Sequence, residues 1–361
     1  PRGTMNDDRD DLTDAQRLVL KVQFGRPVAE LRLAGMEFAR LPLAGALFHQ
    51  VDFSGTDFTG ADLREATFDR CRLDGTCFEQ ALLRGATFNQ CVGEGVRLTG
   101  AHVRNAKFAM SALLRSTLRQ ADLNLATFVR SRLDGSDFTA ALLDRSTFAE
   151  CSLAQARLDD IPMRQVTFHK CVLDGASMAR GTLDLVCFNE TALNGRSFAG
   201  MQLMGVQFTG CLLEETDFTE ARIEKCNFKD AKLRGARLRQ AQGPQSLFPG
   251  AEGEGCDFSH AQLPQALFVG STWQRCRFVR ANLYQSIWTQ ARLTECSLVD
   301  TELTYADFSH AELTGSDFQG ATMFRAKLHR VRDPQARYTD RARALETDPV
   351  LARAEDGPTA R

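Results

Sequence analysis

From residue 31 to residue 330 the chain keeps one register. Positions ending in 3 or 8 carry a large apolar residue, and positions ending in 1 or 6 carry a small one. The stretch Ala61-Asp62-Leu63-Arg64-Glu65, Ala66-Thr67-Phe68-Asp69-Arg70, Cys71-Arg72-Leu73-Asp74-Gly75 shows the unit. Sixty units run on without an insertion, and fifty-seven of their centres are Leu, Phe, Met, Val, Ile or Trp. The exceptions are Gly93, Gly243 and Gly253. A period of five matches neither the helix nor the ordinary strand. Sustained this far, it marks a solenoid, in which each repeat packs only on its neighbours. A chain of 361 residues therefore predicts one repeat array rather than several globular domains.

Units such as Ala61-Asp62-Leu63, Ala121-Asp122-Leu123, Ala281-Asn282-Leu283 and Ala306-Asp307-Phe308 resemble the pentapeptide-repeat family, whose pattern is A-(D/N)-(L/F)-x-x. The resemblance covers about five-sixths of the chain. It implies an all-β solenoid, a right-handed quadrilateral parallel β-helix. Four units would make one coil, and the centre and small residues would point inward. Sixty units then give about fifteen coils, with residues i and i+20 stacked. One column, Phe48 to Phe308, holds thirteen Phe and Trp288. Twenty of the 27 glycines fall on the last residue of a unit, where the chain turns a corner and Gly tolerates unusual backbone angles.

The ends leave the register. Residues 1–4 read as the remnant of a cleaved tag, and residues 5–12 are acidic and polar. Residues 5–30 are expected to form an N-terminal helical cap. Thr13 and Gln16 suit a capping box, and Leu18, Val19 and Val22 follow at helical spacing. Residues 31–330 are the β-helix. Residues 331–361 are expected to form a C-terminal helical cap and loose tail, with helices over 335–345 and 349–355. Such caps cover the open ends of a solenoid.

The anomalies are few. Arg196 falls on an inward small position, where an unpaired guanidinium would be costly, so its side chain is expected to reach solvent. Trp273 lies one coil above Gly253, and a large residue beside a missing one would restore packing density. Gly243, Pro244, Pro249 and Gly253 predict a distorted coil over 241–256.

Little chemistry is present. Nine of eleven cysteines occupy inward small positions and read as small buried hydrophobes; Cys77 and Cys187 are expected to be accessible. The six histidines fall on outward positions of scattered coils and predict no metal site. No phosphate-binding loop or dinucleotide fingerprint occurs, so neither a cofactor nor an enzyme activity is expected. With 44 basic and 46 acidic residues and a net charge of −2, no face carries a one-signed stripe. That argues against direct nucleic-acid binding and against imitation of DNA. No apolar run is long enough to span a membrane, and a cytoplasmic protein is expected, signal-independent secretion being the alternative.

Two outward apolar groups remain: the file Leu247, Leu267, Ile287 with Val269 beside it, and the cluster Tyr284, Tyr305, Phe324. Contiguous exposed apolar patches mark interfaces. The expected function is a rigid scaffold binding a protein partner, or a second copy, through its C-terminal coils. The 331–361 tail is expected to fold over the aromatic cluster. Two alternatives come from the resemblance alone: a DNA-mimicking modulator of a topoisomerase, and an accessory protein of bacterial type VI secretion.

Overall fold

The computed structural model describes residues 12–357. The tag-remnant residues and the acidic stretch to residue 11 lie outside them. Two compact units, residues 1–182 and 183–361, divide the chain. Each is a parallel β-solenoid, and together they hold about 16 turns.

One hydrogen-bond pattern recurs from coil to coil, and the unit at Ala61 shows it. The Asp62 amide donates to Leu41 one coil below, and the Leu63 amide donates to Leu82 one coil above (2.9 Å each). The Glu65 amide donates to Arg84 at 3.0 Å, and the next Ala66 turns back to Leu63 at 3.1 Å. Only the amide of the fourth residue, Arg64, is left by the backbone. It goes to the Asp62 side chain at 3.3 Å, which gives the Asp of the repeat its physical reason. The fifth residue sits in the left-handed region whether or not it is Gly: Glu65 has φ +57° and Gly75 φ +61°.

In the first unit, α1 (Asp14–Gln23) begins with a capping box. The Gln16 amide donates to Thr13 Oγ1 at 3.3 Å, and the Thr13 amide donates to Gln16 Oε1 at 2.8 Å. Leu18 is its buried residue. The register starts at Val28, three residues earlier than expected: Val28 is fully buried and pairs with Phe48. The Phe48 column then stacks, with Phe68, Phe88, Phe108, Phe128 and Phe148 spaced 4.6–4.8 Å apart and nearly parallel. Such contacts add about 0.5–1.5 kcal/mol per pair beyond area burial. Gly93 is a filled vacancy: a Cβ there would come within 2.9 Å of Val96 Cγ2.

In the second unit the column continues as Phe208, Phe228, Phe248, Phe268, Trp288 and Phe308. Phe268 and Trp288 are closest, at 3.8 Å between centroids. The expected distortion over 241–256 is absent. Gln242 pairs with Gln262, Leu247 with Leu267 and Gly253 with Trp273, all in the 20-residue register. Pro244 and Pro249 are fourth residues, whose amide the ladder does not use. Their carbonyls still accept from Lys225 (3.2 Å) and Asp230 (3.0 Å). At Gly243 the space is taken by Ile223 and Ser246, each 2.5 Å from where a Cβ would stand.

The repeat also runs past residue 330, against expectation. Arg332 pairs with Glu312 and Arg337–Tyr338 with Asp317–Phe318. Tyr338 stacks on Phe318 at 5.0 Å. The helix expected over 335–345 does not form, because the open edge of the last coil claims amides of that stretch, as where Arg337 donates to Ser316 (3.0 Å). A short 3₁₀ turn, Arg341–Arg343, follows. Leu345 closes the edge by donating to Ala326 and accepting from Leu328, each at 2.7 Å. The chain then forms α2, Pro349–Glu355. No helix among the described residues is long and apolar enough to cross a membrane.

Candidate functional site

In the second unit one face and its two corners hold the sequence-predicted residues. Leu247, Leu267 and Ile287 are second residues of three stacked units and pair in parallel. Leu247 and Leu267 are half-buried, while Ile287 is 37% and Val269 36% exposed. The file is bounded by Asn227, which donates to Gln207 at 3.0 Å, and by the Asp307–Lys327 pair at 3.2 Å. Exposed aliphatics also occur in the first unit, against the expectation that they gather near the C-terminus. There Leu82 lies between Asp62 and His102 of its file, and Leu142 pairs with Asp122. Among the described residues, 247–267–287 is the file with three large aliphatics in succession.

Tyr284 leads into the same face at its corner. Its ring meets Tyr305 edge-on at 6.0 Å, and Tyr305 meets Phe324 at 5.8 Å. They are 36%, 43% and 39% exposed. The tail does not cover them; the Arg343 guanidinium lies over Phe324 at 5.3 Å. The tail is drawn instead to the opposite corner by His310, His329 and Arg330.

That corner corrects the histidine reading. The His310 amide donates to the His329 carbonyl at 2.8 Å, so the two rings stand on adjacent coils, 5.3 Å apart. Glu355 of α2 reaches between them. Its Oε1 lies 3.1 Å from His310 Nε2 and its Oε2 3.1 Å from His329 Nε2. Arg330 Nε is 2.9 Å from the same Oε2, and Arg330 Nη2 donates to Ala352 O and Asp356 Oδ1 at 2.5 Å. The Asp348 amide donates to His329 Nδ1 at 3.1 Å. The His329 and His310 bonds hold the Glu355 carboxyl below its ordinary value. Sequence reasoning missed this group because Glu355 arrives only when the tail folds back. The placement of His310 as a fifth residue and His329 as the fourth of the next coil was the available signal.

Elsewhere many of the surface charges are paired, commonly coil over coil: Arg130 with Glu150 at 2.9 Å, Arg180 with Asp160 at 2.7 Å, Arg234 with Glu214 at 2.6 Å and Arg337 with Asp317 at 2.7 Å. Arg196 keeps the ladder, its carbonyl accepting from Asp217 at 2.7 Å, and its side chain is half-buried. Cys77, expected to be accessible, is 4% exposed, with Thr59 Oγ1 at 3.3 Å from its sulfur.

Two family models match the chain. One, described as a pentapeptide repeat region, matches residues 62–138 and 141–218. The other, pentapeptide repeats in eight copies, matches 43–80, 202–240, 276–315 and 291–330. Together they span well over half of the sequence. The chain belongs to the pentapeptide-repeat family. Solved structures like it include QnrB1, a plasmid-mediated fluoroquinolone resistance protein. That likeness has 19% identity and a TM-score of 0.33, covering 57% of this chain and 91% of that one. HetL, involved in heterocyst differentiation regulation in the cyanobacterium Nostoc sp. strain PCC 7120, is 17% identical with a TM-score of 0.26, covering 87% and 92%. No curated protein sequence matches the chain.

Proposed function

We propose that this pentapeptide-repeat chain is a non-enzymatic scaffold that binds a protein partner through the Leu247–Leu267–Ile287 face and its Tyr284–Tyr305–Phe324 corner. One observation carries the reading: a file of three stacked aliphatics, two half-buried and Ile287 exposed, meets three exposed edge-on aromatics at one corner of a single face. Aromatic anchors beside aliphatic surface are the composition of interface cores. The solenoid supplies a rigid face, so little ordering is required on binding. The paired charges run against imitation of DNA, which needs unpaired acids in a row.

The test is co-purification from the source cell with the wild type, Leu267→Asp, Tyr305→Ala and, as a control, Leu142→Asp. Loss of the same partner in the first two variants and its retention in the control is the expected result. Equal recovery in all four, with wild-type folding by circular dichroism, would discard this face. Sedimentation of the same proteins decides whether the partner is a second copy. A gyrase supercoiling assay tests the topoisomerase alternative directly.

A further inference from the structure

We infer that His310, His329 and Glu355 form a binding site for a divalent transition-metal ion of the zinc class. One ligand atom from each residue lies within 4.8 Å of the others. Two imidazole nitrogens and a carboxylate oxygen are a donor set that zinc, cobalt and nickel ions accept. In a tetrahedral site with bonds near 2.1 Å the ligand atoms stand about 3.4 Å apart, so a modest contraction completes the set and water fills the rest.

The positions of the three differ in a way that suits such a site. His329 is fixed: its side chain is 6% exposed and its ring stands on the last full coil. His310 is held one coil below by the backbone ladder, with its side chain 35% exposed. Glu355, 31% exposed, sits on the last turn of a seven-residue helix and supplies the adjustable ligand. It is also the group that bridges both rings already, so a metal ion would occupy the place of two bridging protons. Burial of one ligand with solvent access to the others leaves an entry path.

The second nitrogen of His329 sets a cost. Its Nδ1 accepts the Asp348 amide, so in the neutral metal-free ring the proton is on Nε2 and is donated to Glu355. On metal binding at Nε2 that proton moves to Nδ1, and the Asp348 amide must turn away. A ligating His normally offers its other N–H to an acceptor. The site should therefore bind more weakly than one with that support, and binding should disturb the N-cap of α2 while fixing its C-terminal end.

The experiment titrates the full chain, stripped with a chelator and kept reduced, with Co²⁺ and then displaces it with Zn²⁺. The expected result is one Co²⁺ per chain, visible d–d bands of a nitrogen–oxygen site, no sulfur-to-cobalt charge-transfer band, and displacement by Zn²⁺. His310→Ala and Glu355→Gln should each weaken binding by more than the roughly 10- to 100-fold that loss of a partner behind a ligand costs, with unchanged circular dichroism. Binding that survives both variants, a thiolate band, or no saturable binding by the wild type would overturn the assignment. Leu267→Asp should bind the ion like the wild type, so the outcome is separable from that of the proposed interface.

Discussion

The indole of Trp273 occupies the space in which Gly253 would carry a side chain. The two are backbone partners on adjacent coils, and a Cβ on Gly253 would stand 2.5 Å from Trp273 Cζ3. The indole N–H is satisfied by Ser271 Oγ at 2.7 Å. Volume has moved from one coil to the next without disturbing the register. Trp273→Ala should then cost about 3–5 kcal/mol, as for other large-to-small core changes. Gly253→Leu alone should cost about 1–3 kcal/mol through overpacking. Gly253→Leu with Trp273→Leu should cost less than the sum of its singles, with a coupling of about 0.5–3 kcal/mol. Urea denaturation of the wild type, Gly253→Leu, Trp273→Leu and the double variant measures it, and additive singles would show that the two volumes are not exchanged.

Proline tolerance should follow the position within the unit rather than the strand. Pro244, Pro249 and Pro264 are fourth residues, and the second residues of their units are Gln242, Leu247 and Gln262, none of them an Asp. The fourth amide therefore has no side-chain acceptor to lose there. Glu224, with Arg222 as its second residue, is an equivalent place, and its carbonyl would keep the Gly205 amide at 3.0 Å. Glu224→Pro should be neutral or stabilise by about 0.4–1 kcal/mol. Arg222→Pro removes the amide that donates to Met201 O at 2.9 Å and should cost about 1–3 kcal/mol. Thermal melts of the pair give the answer, and equal losses would refute the amide accounting.

Acid should act first on the second-residue aspartates. Asp57 accepts the Thr59 amide at 2.8 Å and the Thr59 hydroxyl at 2.5 Å. Burial pushes its carboxyl up, but those bonds, with Cys77 and Arg97, outweigh it and leave it below its ordinary value. Asp52, Asp137, Asp217 and Asp307 show the same balance. A carboxyl whose folded pKa is depressed adds stability above its unfolded value, about 3.9, and that stability fades as pH falls through the folded value. The urea midpoint should hold between about pH 7 and 5 and fall below about pH 4. Replacing these five by Asn, which caps the fourth amide in the same way at Asn227 and Asn282, should flatten the acid limb. An acid limb equally steep in the Asn protein would place the effect elsewhere.

The coils are legible because burial reads two positions in five directly: the centre residue and, in most units, the small residue are buried. What was misread depended on which amides are free or on contacts distant in sequence. Pro244 and Pro249 looked disruptive only while the fourth amide was counted in the ladder. Ala336 and Tyr338 keep the small and centre positions, but Asp333 at the centre before them hid the last coil. Glu355 lies 45 residues from His310, and nothing in the five-residue pattern connects them. The outward position of Cys77 implies access, whereas Thr59 on the preceding coil shields it.

The thiols should report this shielding quantitatively. All eleven cysteines are free, and ten are buried, Cys187 being half-exposed. Burial pushes the Cys151 thiol up to about 11, and Cys171, Cys211 and Cys226 to about 12. Cys211 and Cys226 also point at the Phe188 and Leu203 carbonyls, at 2.7 and 2.9 Å, where a thiolate would face an oxygen rather than a donor. Since the thiolate is the nucleophile, the native protein at pH 8 should react with a disulfide reagent at no more than one thiol, slowly and at Cys187. All eleven should react in denaturant, and Cys187→Ser should abolish the native reaction. The labelling rate of the other ten should then follow opening of the coils, falling steeply as urea is withdrawn. Rapid labelling of Cys77 or of any inward cysteine in the absence of denaturant would show that the coils open far more readily than their packing implies.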